Sequence, residues 1–419
     1  MVLLTVLFAL RRQIGRGTFV AVVLFILILS PLLSVVPIAA MQYSFVADRW
    51  VYQAALPMFA LAGAFVVLLT TGDVRDQPSS AAAGRRVSPT LVITAVTLLI
   101  GTSILTWQRA AVFASNEQIY ADALAKNPTS WFVHNNLGYA LIQKGRIADA
   151  VYHFDEALRL WDGYVGARMN LAAALALQGD MFAAEEQYRS ILQTRPNFVP
   201  ARVQYGRLML RDDRSETAEA IFVAALQIEP TSPGALSGLA LSRVANRRPL
   251  EALAPASAAL KQNAFSSDAH HAMGRVLIAL GHARRGLGHL QEAVRTGGAH
   301  PEVFRDLAWE LATSGDDTLR HGETAVELAR RAVDAVVQPD ARYLKVLAAA
   351  WAEFGHYDRA VEVARDGQIL AGELGQADLN AHFNLALDTY QRHRPWRQPI
   401  TPPIDLASVA TTLPADGGP

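Results

Sequence analysis

Two sets of polar residues in this 419-residue chain have types and spacing that could do chemistry. The first lies in "MQYSFVADRWVYQAALP", Met41–Pro57, where Asp48 and Arg49 stand side by side among Tyr43, Phe45, Trp50 and Tyr52. Apolar sequence flanks this cluster on both sides. The second set is Asn136, Asn170 and Gln204, three carboxamides at steps of 34. A carboxamide donates and accepts at once, so a ladder of them can hold a peptide main chain without reading its sequence. The plainer alternatives are an aromatic belt at a membrane interface with one loop ion pair, and a solvated polar surface.

Other chemistries find little support. The chain has no cysteine, which excludes disulfide frameworks, thiolate metal sites and cysteine nucleophiles. His270 and His271 are adjacent, about 100° apart on a helix, and cannot both ligate one metal comfortably. With His282, His289 and Asp268 they give no ligand spacing, so no metal and no cofactor is expected. Glycine-rich phosphate loops, nucleophile elbows and HExxH are absent from the sequence. Pro128 spoils the glycosylation sequon at Asn127.

The 38 basic and 38 acidic residues cancel, but unevenly. Residues 1–107 hold seven arginines and three acids, leaving 31 basic against 35 acidic groups in the remainder. A mildly acidic remainder has the wrong sign for a nucleic-acid binder. Arginine outnumbers lysine 34 to 4, as in a GC-rich bacterial genome.

The elements that position these residues follow from hydropathy. Thr18–Ala40, Ala54–Thr71 and Pro89–Trp107 are uncharged apolar runs of spanning length. Met1–Leu10 is apolar but short and reads as the tail of a further span, with the chain beginning inside something larger. Arg11, Arg12, Arg16, Arg75, Arg85 and Arg86 lie on one side, against Arg49 and Arg109 on the other. The arginine-rich side is cytoplasmic by the positive-inside rule, so "FVADRW" and everything after Trp107 are expected outside a bacterial inner membrane.

Beyond Pro128 the sequence repeats with a period of 34, the length of tetratricopeptide helix pairs. Leu137-Gly138, Ala150, Phe154 and Ala157 occupy the Leu-Gly, small, aromatic and small positions. Steps of 34 find Leu171-Ala172 with Ala184 and Tyr188, then Tyr205-Gly206 with Ala218, Phe222 and Ala225. Leu239-Ala240 with Ala252 and Ala259, Met273-Gly274 with Ala293, and Leu307-Ala308 continue the series. Leu347-Ala348 with Ala360 falls 40 on, because "TSGDDTLRHGE" lengthens the sixth unit. Such pairs bury enough apolar surface only by stacking, so the expectation is an all-α chain: transmembrane helices, then a helix-turn-helix solenoid with a concave inner face. The divisions are a membrane region over 1–107, a linker and capping helix over 108–130, about seven repeats over 131–394, and a disordered tail over 395–419. Six prolines in the last 25 residues and a lack of periodicity support the tail.

The order of parts resembles bacterial relatives of the transmembrane, tetratricopeptide-containing O-mannosyltransferases. "SFVADRWVY" between spans, a final span, "TWQRAAVFASNEQIYADALAKNPTSWFVHNNLG" and then the repeats carry the likeness over nearly the whole chain. "AWELATSGDDTLRHGETAVELARRAVDA" and "YLKVLAAAWAEFGHYDRAVEVA" are similar to terminal repeats of the same proteins. The resemblance implies a polytopic glycosyltransferase using polyprenyl-phosphate sugars, with its catalytic acid in the first extracytoplasmic loop. No acidic residue precedes Asp48, so no catalytic residue is assigned and glycosyl transfer by this chain alone is not expected. In that frame Arg49 contacts the lipid phosphate, Asp48 orients it, and Trp50 and Tyr52 line the lipid portal. The carboxamide series resembles the asparagine ladder of the repeat region in nucleocytoplasmic O-linked N-acetylglucosamine transferase, and stops at Gly238 and Ala272. The expected partners are membrane lipid, a polyprenyl-phosphate sugar, and protein or peptide on the inner face. Two functions follow: the acceptor-handling portion of a membrane glycosyltransferase, or a non-catalytic scaffold for envelope protein complexes.

Overall fold

The computed structural model describes residues 115–406 except 298, 299 and 337, with Thr97 alone before them. Apart from Thr97, the expected spans 1–10, 18–40, 54–71 and 89–107 lie outside the described residues, and so do Asp48, Arg49, Trp50 and Tyr52. Among the described residues, no helix is long and apolar enough to cross a membrane. The regular structure there is helical throughout, with no strand.

The chain divides into two compact units, residues 1–140 with 159–161 and residues 141–158 with 162–419. In the first, α1 (Asn116–Lys126) begins at Ser115, whose hydroxyl accepts from the Gln118 amide. α2 (Trp131–Ile142) follows, with Trp131 packed edge-on against Trp161 at 4.6 Å.

The second unit holds α3 (Ile147–Leu160), α4 (Val165–Gln178), α5 (Met181–Thr194), α6 (Val199–Arg211), α7 (Ser215–Ile228), α8 (Pro233–Ala245) and α9 (Pro249–Gln262). It continues with α10 (Ser267–Ala279), α11 (Ala283–Arg295), α12 (Pro301–Thr313), α13 (Gly322–Asp334), α14 (Ala341–Glu353), α15 (Tyr357–Glu373) and α16 (Ala377–Gln391). Consecutive helices pair as α4/α5, α6/α7, α8/α9, α10/α11, α12/α13 and α14/α15, numbered repeats 2 to 7 here. First helices also pack on the next first helix, as in α6/α8, α8/α10 and α12/α14, which makes the unit a solenoid.

Local sequence explains the boundaries. Asp180, Ser266 and Asp340 cap α5, α10 and α14 through side chains that accept from the first-turn amides Ala183, Ala269 and Arg342. Proline stands in the first turn of α6, α8, α9 and α12, where its missing N–H costs nothing. Between paired helices the chain reverses at a residue of positive φ: Gly145, Gly179, Asp213, Arg247 and Gly281, each 34 after the last. The insertion in the sixth unit forms a 3-10 turn, Asp317–Leu319, capped by Asp316.

The core is made at the positions the repeat pattern marks. Ala150, Phe154, Ala184, Tyr188, Ala218, Phe222, Ala252, Ala259, Ala293 and Ala360 are all buried. Phe222 shows why small residues recur, because its ring lies between Gly206 of α6 and Gly238 of α8. A methyl group added there would come within 2.6 and 2.2 Å of that ring.

The expected disordered tail is corrected over residues 395–406. That segment is an extended strap: the Gln398 amide donates to the Thr313 carbonyl at 2.8 Å, and the Ile404 amide donates to the Leu280 carbonyl at 3.0 Å. Both acceptors lie at the C-terminal ends of first helices, where carbonyls lack intrahelical donors. An extended chain has no apolar period, so composition alone read it as disorder. Residues 407–419 lie outside the described residues.

Candidate functional site

One register position on the first helices of the second unit begins with carboxamides. Asn170 on α4 is half-buried and Gln204 on α6 is exposed. Asn136 belongs to the first unit, is half-buried, and accepts from the Asn135 side chain at 3.3 Å. The structure therefore brings Asn170 and Gln204 onto successive first helices of one unit, with Asn136 in the other.

The ladder stops for a steric reason. Gly238, at the next step, sits under the Phe222 ring, where even a methyl group collides. Ala272 after it is fully buried among α8, α9 and α10 side chains. The following steps reach Asp306 and Val346, also buried. One register position is thus open in repeats 2 and 3 and closed in repeats 4 to 7.

Asp306 carries a cluster that the repeat pattern did not reveal. His271 Nε2 lies 2.9 Å from Asp306 Oδ2, and Arg275 Nη1 lies at the same distance from that oxygen. Arg305 donates through Nε and Nη2 to Oδ1 at 2.9 and 2.7 Å. Burial works against the Asp306 carboxylate, but Arg275, Arg305 and His271 outweigh it and hold it well below the usual carboxylate range. Burial likewise opposes the Arg305 charge, and Asp306 with Tyr343 keeps the guanidinium above its ordinary value. The cluster is closed: each charge has its partner within it.

Neighbouring groups are tuned by the same environment. Lys345 Nζ sits 4.4 Å over the Trp309 ring; desolvation lowers its pKa, and Arg305 and Arg275 lower it further. Desolvation pushes Glu310 up, despite Gln398 donating to it at 3.4 Å. His382, between Trp309 and Trp396, is driven down to about 4 by burial and then by Lys345.

Charge pairs also join distant repeats. Arg207 on α6 pairs with Asp268 at the start of α10 and donates to His300 Nε2 at 3.0 Å. Arg342 on α14 donates to the Arg211 carbonyl at 3.1 Å and to Asp213 at 3.3 Å. Repeat 3 is thereby tied to repeats 5, 6 and 7.

A second hub lies between α5, α6 and α7. The buried Glu185 accepts from Tyr205 Oη at 2.6 Å and from Arg214 at 2.7 Å, and pairs with Arg189 at 2.6 Å. Tyr205 occupies a position read only as apolar core, so its hydroxyl was the missed signal. Of the histidines, His271 joins Asp306, His270 Nδ1 faces His289 Nδ1 at 3.0 Å, and His282 stands at the N-cap of α11. Among the described residues, no group of three or more His, Asp or Glu is placed to hold a metal ion.

Paired helices at a 34-residue step, each first helix packed on its second and stacked along the unit, define a helical-repeat protein. A family model for the tetratricopeptide repeat matches residues 117–165 and 135–197, so that stretch consists of tetratricopeptide repeats and the later pairs continue its step. The chain is similar to a tetratricopeptide repeat protein from Parabacteroides merdae, at 16% identity over 61% of this chain and 98% of that one, TM-score 0.45. It is also similar to the anaphase-promoting-complex Cut9–Hcn1 hetero-tetramer, at 16% identity over 65% of this chain and 52% of that one, TM-score 0.49. A third is YrrB, a tetratricopeptide protein with an unusual peptide-binding site, at 15% identity over 45% and 96%, TM-score 0.32. No curated protein matches the sequence.

Proposed function

We propose that the repeats hold an extended polypeptide on one face of repeats 2 and 3, through the carboxamides of Asn170 and Gln204. The observation that carries this reading is the contrast along one register position. Asn170 is half-buried and Gln204 exposed, whereas Gly238, Ala272, Asp306 and Val346 are buried. Primary amides at that spacing bind peptide groups whatever the side chains, which suits a module that handles many proteins. In this reading the repeats stand outside a bacterial inner membrane, planted there by the apolar runs of residues 1–107. They serve as the acceptor-handling portion of a glycosyltransferase that uses a polyprenyl-phosphate sugar. The sequence resemblance supports that setting, and Arg49, Asp48, Trp50 and Tyr52 then face the lipid phosphate.

Photo-crosslinking of an unfolded acceptor polypeptide tests the binding claim. Asn170→Ala with Gln204→Ala lowers the crosslinked yield severalfold; an unchanged yield overturns the ladder. Protease added to intact spheroplasts tests the setting. Digestion of the repeats agrees with it, and protection places them in the cytosol and overturns it.

A further inference from the structure

The chain has four lysines, and one of them stands apart. Lys126, Lys144 and Lys261 are exposed, and Lys126 pairs with Asp122. Lys345, on α14, is half-buried, with its Nζ 4.4 Å over the Trp309 ring of α12. Among the described residues, no carboxylate and no hydrogen-bond acceptor engages that nitrogen. His382 of α16 stands 6.2 Å from Trp309 and 4.5 Å from Trp396, ring centre to ring centre, so aromatic groups wall this part of the molecule.

The charged groups around Lys345 leave an excess of positive charge. Arg275 of α10 and Arg305 of α12 share the one carboxylate of Asp306, at 2.9 and 2.7 Å. His271 of α10 takes an oxygen of the same carboxylate. Glu310 is the next acid on α12, and burial pushes its carboxyl up toward the neutral form. His382 is driven toward its neutral form by burial and then by Lys345. Burial first, then Arg305 and Arg275, lower the Lys345 pKa, so its neutral amine is more populated than that of an exposed lysine. A cation at Nζ is repelled by two guanidiniums, whereas an anion there would be attracted by both. An unprotonated, unpartnered amine is also a nucleophile.

We propose that Lys345 is a modification site for carbon dioxide, held as a carbamate beside Arg275 and Arg305. The Nζ lone pair attacks the carbon atom and an N–C bond forms. One C=O electron pair moves to oxygen, and the nitrogen releases a proton to water. The product places a carboxylate where an ammonium would stand, so two guanidiniums then face two anions, Asp306 and the carbamate. Carbon dioxide suits the position because it is neutral and small enough to reach an amine that Trp309 covers on one side. This site is separate from Asn170 and Gln204, so its test stands or falls apart from the ladder.

The full chain is equilibrated with isotope-labelled bicarbonate and carbon dioxide near neutral pH, treated with triethyloxonium, and mapped by mass spectrometry. The reagent turns a carbamate into a stable ethyl carbamate. Lys345 is expected to carry it at on the order of tenfold the yield at Lys126, Lys144 or Lys261, because each unit of pKa lowering multiplies the neutral fraction by about ten. Equal yields at all four lysines, or no label at Lys345, overturn the proposal. Sparse acetylation with acetic anhydride separates bare reactivity from uptake. Preferential acetylation of Lys345 without a carbon-dioxide-dependent ethyl carbamate shows a reactive amine that holds no carbamate, and overturns the proposal too. Arg275→Gln, with circular dichroism unchanged, is expected to lower the Lys345 yield severalfold; an undiminished yield in that folded variant contradicts the part given to the guanidiniums.

Discussion

Repeats 2 and 3 and repeats 5 to 7 share one helix-pair plan, yet their inner faces do opposite things. In α4 and α6 one register position holds neutral amides, Asn170 half-buried and Gln204 exposed. In α10, α12 and α14 the corresponding face is buried, and its polar groups, Asp306 with His271, Arg275 and Arg305, satisfy one another. A buried carboxylate must be matched inside the protein because water cannot reach it, whereas an exposed amide such as that of Gln204 is satisfied by water. The repeat supplies the scaffold in both regions, and the residues off its pattern decide whether this register position is accessible or closed.

The strongest way to break this contrast is Asp306→Ala. It leaves the half-buried Arg305 and Arg275 without their carboxylate and is expected to cost about 2–3 kcal/mol of stability, read by denaturant unfolding; a loss below about 1 kcal/mol would mean the cluster is not closed. Gly238→Ala comes next, driving a methyl group into the Phe222 ring for about 1–3 kcal/mol. If that variant is neutral, the steric end of the ladder is not real.

Acid titration sharpens the same distinction. Asp306 has a folded-state pKa depressed below its unfolded value, so its contribution is present above about pH 4 and is lost as pH falls toward the folded value. His382 titrates near 4 in the fold, against roughly 6.5 unfolded. Its neutral form therefore contributes stability above about pH 6.5 that declines as pH falls toward 4. His382→Phe is expected to flatten the melting temperature between those values, and an unaltered slope would contradict it. The smallest effect belongs to the open face: Asn170→Ala and Gln204→Ala are expected to change stability by no more than about 0.5 kcal/mol while lowering peptide crosslinking.

The helix pairs were legible because small and aromatic residues must recur wherever helices approach closely. Ala150, Phe154, Ala184, Tyr188, Ala218 and Phe222 could be placed in the core from spacing alone. The charged cluster was not legible in the same way. His271 and Asp306 are 35 residues apart, and Arg207 and Asp268 are 61 apart. Such partners meet only after the superhelix has formed, and no local period announces them. The end of the ladder was visible at Gly238, but its cause depends on Phe222 lying between two repeats. The strap was missed because prolines that prevent a helix serve equally well in disorder and in an ordered extended chain.

The division of labour between the two inner faces can be measured directly. A photo-crosslinking residue is placed in turn at Asn170, Gln204 and Glu302, which lies in the first turn of α12, four residues before Asp306, in the full chain, and a proline-free unfolded polypeptide is added. The account predicts strong adducts from positions 170 and 204 and few from 302. Adducts concentrated at 302, with 170 and 204 silent, would contradict it.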